Sequence, residues 1–512
     1  MKKKRLIVLS IIVTSFLFGC VKVDGHLAYY SRLPQREAFE GQVLFTPLNS
    51  TVTYLMNSAF HIVRSWHSNY GCGFGTYLEN GSLFRASRPY DISNFLIGGR
   101  TGQVEKFDWN GSLIWNFVLC DSENCLHHDI KPLPNGNVLM QVWENKSYRE
   151  CVKAGRNPVN LSFMIVDYII EVNQNKEVVW AWHVWDHLIQ DFDPSKAHYG
   201  NVSKHPELID INLIPTLPAN GDWTHFNTLD YNKYTDEILT SSRNLNEIFI
   251  INHSTGKIVY RFGHPHNYRA NGIQKLFGQH DCQWIKPGYV GEGNLIVFNN
   301  GNNGRNYTTV DEINMTQNKI VWSYNTSTFV TAMGGAERLY NGDTLYCDSI
   351  IGKIYEVSHD RQRIWNYTVG NMIFKMQYYN IYNQQPSSPR IQGPSDCQIG
   401  QNYSFTFNST DRNKIRFYID WGDDQVITKY QKDSAVCNHS WSKNGNYTIK
   451  VFAEDIYGAK SGTAVFLIRT SRDKMVVRDV GGFSTGKIHL LSGLEPEFSN
   501  KNQNCGSDTI FS

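Results

Sequence analysis

The chain has little of what usually betrays a function at first sight. Among 512 residues, 49 Lys and Arg stand against 47 Asp and Glu, a balance of +2, and charged residues make up only 19%. So small an excess creates no field to draw nucleic acid or an anionic membrane surface. There is no P-loop and no dinucleotide fingerprint, so the usual phosphate cradles for nucleotides are missing. Beyond the N-terminus no apolar run is long enough to span a bilayer. Alanine, leucine and glutamate do not dominate as a helical repeat array would require. What is plentiful is aromatic residues, at 13% with 28 Tyr, and glycine, 40 in all. That is the composition of a β-rich folded protein, long enough for two or three domains.

The first residues bear on the compartment. Met1-Lys-Lys-Lys-Arg5 is a basic stretch, followed by a largely apolar segment of 14 residues from Leu6 to Gly19, the pattern of an export signal rather than an ordinary membrane span. Gly19-Cys20 is a candidate lipoprotein cleavage site, although Phe18 is bulky for that motif. Residues 1–24 are therefore expected to be a signal peptide or a membrane or lipid anchor, with the remainder outside the cytoplasm, secreted or held at the outer face of the membrane. Fifteen Asn-x-Ser/Thr sequons, beginning with Asn49, Asn80 and Asn110, fit a glycoprotein. An oxidising compartment lets cysteines pair. Cys120 with Cys125 and Cys397 with Cys437 are the expected disulfides, by nearness in sequence or in the presumed domain.

A pattern recurs between residues 40 and 370. Asn/Gly-rich turns precede apolar strands, as in ENGSLF at 79–84 and PNGNVLM at 134–140, and strand pairs then end in an aromatic: Trp66, Trp115, Trp180, Tyr260, Trp322 and Trp365. The intervals are 49, 65, 80, 62 and 43 residues, each the length of a four-stranded antiparallel sheet with variable loops. Six such beats predict a six-bladed β-propeller over residues 38–384, with the apolar segment at 372–379 closing the first blade. From about Gln385 the chain reads as linker. Short alternating strands over 385–470 then predict a small immunoglobulin-like β-sandwich. YIDWGDD at 418–424 and GNYTIKVFAEDIYG at 445–458 resemble a PKD domain, a resemblance that implies spacing or adhesion rather than chemistry. Residues 471–512 have no assigned structure.

Three histidines stand at one sequence offset. His128 precedes Asn135, His225 precedes Asn232 and His280 precedes Pro287, each by seven residues, while Gly73 and Gly334 hold the equivalent places elsewhere. If the first strand of each blade lines a central channel, the imidazoles converge and the glycines leave room for a ligand. Convergent imidazoles serve either a metal or acid/base and nucleophilic work on an ester. Arg243 favours the second, because a guanidinium repels cations and forks onto sulfate or phosphate. Asn227 lies two residues from His225 on the same strand face and can donate to an oxyanion. His127 neighbours His128, and alternation lets only one of the two face the channel; the offset favours His128. Asp129 and Asp281 follow channel histidines, should point away, and are read as tying blades together.

DWTHFNTLDYNKYTDEILTSSRNLNEIFIINHSTGKIVYRFG, with FGQHDCQWI after it and LHHDIKPLPNGNVL before it, resembles the arylsulfotransferases that do not use an activated nucleotide sulfate. The resemblance spans roughly residues 40–380. The family is one of six-bladed propellers outside the cytoplasm that move a sulfuryl group from a phenolic sulfate ester to a phenol, by a ping-pong route through a sulfated histidine. The resemblance implies His280 as the nucleophile, His225, Asn227 and Arg243 as holders of the sulfuryl oxygens, and His128 as acid/base partner with His127 as its possible substitute. It implies no metal and no cofactor, with a small phenolic donor and acceptor as partners and no nucleic acid. Two other functions fit the same residues: a non-catalytic extracellular propeller/PKD binding protein, and a metal-dependent hydrolase built on the three histidines.

Overall fold

The computed structural model describes the backbone of residues 17–23 and 26–32, and residues 41–472 apart from 90–94, 216–220, 303, 380–385, 412–414, 429–430, 432 and 456–459. Residues 1–16 of the expected signal and 473–512 of the C-terminal tail lie outside the described residues. Among those described, no helix is long and apolar enough to cross a membrane. The chain divides into two units, Met1–Asn380 and Ile381–Ser512.

The first unit is built of antiparallel sheets, apart from a short parallel pair of Leu188–Ile189 with Ile209–Asp210. Three are four-stranded and consecutive in sequence; they open at Asn124–Pro132, Phe226–Asn232 and His280–Trp284. A seven-stranded sheet begins with Ile373–Tyr379 beside Gln42–Pro47 and runs through the long strand Ile62–Glu79 to Leu113–Val118. The apolar C-terminal segment thus does pair with the first hairpin, Met376 opposite Phe45 and Tyr378 opposite Val43. A last sheet opens at Gly335–Arg338 and carries Leu17–Val23 at its far edge. That edge strand falls inside the expected signal segment.

The recurring aromatics have a physical use. Each reaches a hairpin beyond its own strand, within the seven-stranded sheet for Trp66 and in another sheet for the rest. Trp66 Nε1 donates to the Asp108 carbonyl at 3.1 Å, Trp115 Nε1 to Gln174 at 3.0 Å and Trp322 Nε1 to His359 at 2.8 Å. Tyr260 Oη meets Asn318 Oδ1 at 3.0 Å, and Trp365 packs edge-on against Phe60 with ring centroids 5.1 Å apart. In the third beat the donor is Trp182, to Gly256 at 2.7 Å, rather than Trp180, which packs on the His253 ring. Apart from the Trp66 bond, which ties two parts of one sheet, these contacts join separate sheets, and each such hydrogen bond contributes about 1 kcal/mol.

The second unit is a two-sheet β-sandwich: a three-stranded sheet containing Tyr403–Asn408 and a five-stranded sheet containing Ile415–Asp420 and Gly445–Asp455. Its core gathers Trp421 and Trp441, both fully buried, around Phe405. The structure joins Cys120 to Cys125. Cys397 and Cys437 are not bonded to each other, contrary to expectation; they are buried on strands of opposite sheets of the sandwich.

Candidate active site

The sheet-opening strands of the first unit are irregular where the histidines lie. Pairing shifts between Met140 and Gln141, between Phe226 and Leu229, and between His280 and Gln283. Such bulges twist a strand and re-aim its side chains. Two bulge residues, His128 at φ +40° and Asp281 at φ +48°, are left-handed, as is His225 at φ +51° just ahead of its strand. Side chains seldom adopt that backbone region.

The bulges correct the expected register. By strand pairing His127, opposite Gln141, matches His280, opposite Phe298, while His128 matches Asp281 and His225 lies one residue outside its strand. The three imidazoles therefore do not share one structural address. They converge nonetheless. The His128 and His225 rings lie 4.6 Å apart, and Phe374 packs against both His128, at 6.0 Å, and His280, at 6.4 Å. Positive charge on His225, His280 or Arg243 bears on His128, whose pKa burial drives well below the ordinary value.

His280 is the best defined of the group. It is 2% exposed. Its Nδ1 lies 2.8 Å from Asn300 Oδ1 and 3.1 Å from the Gly278 carbonyl. The Asn300 amide cannot be turned round, because its Nδ2 donates to the Val330 and Met333 carbonyls at 2.9 and 2.7 Å. The oxygen must face His280, so Nδ1 carries the proton and Nε2 the lone pair. Nε2 in turn accepts from the Met333 N–H at 3.2 Å. Burial, with Arg243 adding to it, pushes the His280 pKa down to about 3, so the ring is neutral at pH 7.

His225 is oriented by a carboxylate, with Nδ1 2.6 Å from Asp222 Oδ2; Asn244 Nδ2 also reaches that oxygen, at 3.2 Å. No described residue hydrogen-bonds Nε2 of His128 or of His225. Arg243 is half-buried and makes only long approaches to Asn244 Oδ1, 3.5 Å, and the Thr331 carbonyl, 3.4 Å. Burial lowers its pKa against the pull of Asp222, yet a guanidinium stays charged. Asn227 is fully buried, and its Nδ2 donates to the Gln279 carbonyl at 2.8 Å, so that amide group anchors the backbone beside His280. His127 stacks on Trp143 at 4.2 Å and meets the cluster through His128, Nδ1 to Nδ1 at 2.9 Å. Simple alternation would have separated the two rings; the left-handed turn at His128 brings them together.

Several residues at the site carry no motif. Gly99, at φ +98°, accepts the His128 N–H at 2.8 Å, and a Cβ there would overlap the His128 ring. Asn300, Asp222 and Phe374 come from loops or strands whose sequence gives no chemical signal. The room expected at Gly334 is filled by the Phe298 ring; the surroundings of Gly73 lie outside the described residues. Asp129 and Asp281 do tie sheets together. Lys375, 3% exposed, reaches Asp129 Oδ2 at 2.7 Å, Tyr77 Oη at 2.6 Å and Asp281 Oδ1 at 3.2 Å. Asp129 also accepts the Leu229 N–H and Asp281 the Ala336 N–H, each from the next sheet. Burial pushes the Asp281 carboxyl up to about 6 against the pull of Lys375. Arg269, in the irregular stretch 264–278, ties to Asp210, in the irregular stretch 185–222, at 2.9 Å. A surface cavity of about 290 Å³, lined by Tyr70, Gln103 and Glu105, contains none of the clustered histidines. Among the described residues no three His, Cys, Asp or Glu side chains are grouped to hold a metal ion.

An antiparallel β protein with a buried neutral imidazole beside a guanidinium is equipped for nucleophilic transfer of an anionic group. The chain belongs to the arylsulfotransferase (ASST) family, whose model matches residues 76–385, and at that level it is a sulfotransferase. No curated protein matches it. Among solved structures, a PKD domain of an M14-like peptidase from a Thermoplasmatales archaeon is 28% identical, covering 17% of this chain and 96% of its own, with a TM-score of 0.16. A streptogramin B lyase is 9% identical over 84% of this chain and 100% of its own, with a TM-score of 0.32. The dihydro-heme d1 dehydrogenase NirN is 10% identical over 85% and 75%, with a TM-score of 0.30.

Proposed function

We propose that the protein moves a sulfuryl group from a small phenolic sulfate ester to a phenolic acceptor through a sulfated His280. The observation that carries this reading is the fixed tautomer of His280: Asn300 Oδ1 accepts the Nδ1–H, so a neutral ring holds its lone pair on Nε2, which exchanges the Met333 N–H for sulfur on attack, in the neighbourhood of Arg243. Nε2 attacks sulfur, the bond from sulfur to the aryl oxygen breaks, and the phenolate leaves. Arg243 offsets the sulfuryl charge. His225, backed by Asp222, and the second N–H of Asn227 hold sulfuryl oxygens. Removing one such donor costs about 3 kcal/mol of transition-state stabilisation. In the second half the acceptor oxygen attacks the sulfated ring, its proton passes to His128, and the bond from sulfur to Nε2 breaks. His280 returns to its neutral form. The proton held by His128 balances the phenolate released in the first half. No cofactor enters.

We read the sheets of the first unit as six blades of a propeller. The seven-stranded sheet supplies two of them, sharing the strand Ile62–Glu79, and the pairing of Ile373–Tyr379 with Gln42–Pro47 closes the ring. The second unit we read as a PKD-like spacer. The basic and apolar N-terminus supports export, with the protein secreted or tethered at the outer membrane face. The test is phenol release from a chromogenic aryl sulfate in the presence of an acceptor phenol and a chelator. Turnover should proceed in the wild type and vanish in His280→Ala; full turnover in that variant would refute the proposal.

A further inference from the structure

Behind His128 lies a buried pair that the chemistry above leaves unused. His127 Nδ1 faces His128 Nδ1 at 2.9 Å, with the two rings nearly perpendicular at 88°. One face of His127 stacks on Trp143 within 4° of parallel. Its Nε2 lies 2.9 Å from Asp167 Oδ1. The ring N–H points off that line, so this is an electrostatic contact rather than a hydrogen bond, yet both atoms are buried and neither has a hydrogen-bond partner among the described residues. The other Asp167 oxygen accepts from Thr224 Oγ1, and the Asp167 N–H donates back to that hydroxyl at 3.2 Å. His127, Trp143 and Asp167 are each at most 1% exposed.

The protonation pattern follows from the donors. An ionised carboxylate only accepts, so Asp167 draws the His127 proton to Nε2 and leaves a lone pair on Nδ1. Two facing ring nitrogens need one donor and one acceptor, so His128 supplies Nδ1–H. Its lone pair then sits on Nε2, the nitrogen without a partner among the described residues. Nothing in the His128 ring itself dictates that choice.

We propose that His127 and Asp167 are positioning residues that hold His128 in its Nδ1–H tautomer, so that Nε2 takes the proton of the acceptor phenol while the charge gained is shared towards Asp167. This rests on the reading of His128 as the acceptor's base. The balance is simple: the phenol O–H breaks, the proton moves to His128 Nε2, the new bond from oxygen to sulfur forms, and the bond from His280 to sulfur breaks. No proton need leave the His127–Asp167 pair.

The pair should matter most when the acceptor gives up its proton reluctantly. The enzyme is first loaded with the sulfuryl group from an acidic-phenol donor, then mixed with a series of acceptor phenols of falling acidity. In Asp167→Asn, loading should match the wild type. Transfer to a weakly acidic phenol should fall about 100-fold, the lower end of what general-base help supplies, while transfer to an acidic phenol already ionised in solution should fall only a few-fold. An equal loss for every acceptor, or none, would overturn the proposal. If Asp167→Asn fails to fold, Thr224→Val, which strips only the hydroxyl from Asp167, should give the same graded pattern at smaller amplitude, and a flat pattern there would overturn it too. A wild type that takes up no sulfuryl group would remove the underlying reading and this proposal with it.

Discussion

The tightest geometric demand at the site falls on a residue with no side chain. Gly99 has φ +98°, and a Cβ built on it lies inside 3.0 Å of the Cε1, Nε2 and Nδ1 atoms of His128. Gly99→Ala therefore does two things. It places a side chain in a left-handed backbone, a strain of about 1–2 kcal/mol, and it forces the His128 ring aside. The ring cannot retreat freely, because His127 holds Nδ1 and His225 and Phe374 pack on it. A displacement of about 1 Å at a reacting group costs on the order of 100-fold in rate. Gly81 separates the two effects: it is also left-handed, φ +71°, but nothing lies within 4 Å of a Cβ added there. The assay is acceptor-dependent phenol release from an aryl sulfate, with thermal unfolding of each variant measured alongside. Gly99→Ala should lose more stability than Gly81→Ala, by the roughly 1–3 kcal/mol of forcing a side chain into a filled space, and it alone should lose about 100-fold in kcat/KM. Equal activity in the two variants would refute the placement of His128 in the reaction.

The guanidinium and the buried ion cluster around Lys375 give two more predictions. Arg243→Ala should lower kcat/KM by roughly 100- to 1000-fold, the price of one electrostatic donor, and Arg243→Lys should recover only part of it, because an ammonium lacks the planar fork; steady-state kinetics with one donor–acceptor pair checks both. Lys375→Met leaves Asp129 and Asp281 buried without their shared cation, and should destabilise the first unit by about 3–5 kcal/mol in denaturant titration. An unchanged midpoint would mean that the cluster does not hold the sheets together.

Much of the architecture was legible because it repeats. The recurring aromatics stood out in the chain, and all but Trp66 tie one sheet to another; the apolar segment at 372–379 announced a strand in need of an edge. The convergence of His128, His225 and His280 was also legible, although for a partly mistaken reason. A constant offset from a turn does not survive a bulge, and each of these strands carries one, so the histidines reach the same space from different pairing positions. Bulges leave little mark in sequence when the left-handed residue is His or Asp rather than Gly. Asn300, Asp222 and Gly99 were invisible for another reason: each acts by holding a histidine, through a contact that exists only after the chain has folded. Trp182 was passed over for Trp180 because the two stand two residues apart on one strand, and nothing in the sequence marks which indole N–H reaches the hairpin beyond. Cys397 and Cys437 were judged by nearness within a domain, and the sandwich sets them on opposite sheets.

The most direct measurement is the intact mass of the protein after brief exposure to a chromogenic aryl sulfate without acceptor, followed by peptide mapping under conditions that preserve a phosphohistidine-like bond. The account predicts the gain of one sulfuryl group, located on His280 and discharged when a phenol is added. Phenol release with no mass gain, or a sulfuryl group found on another residue, would contradict it.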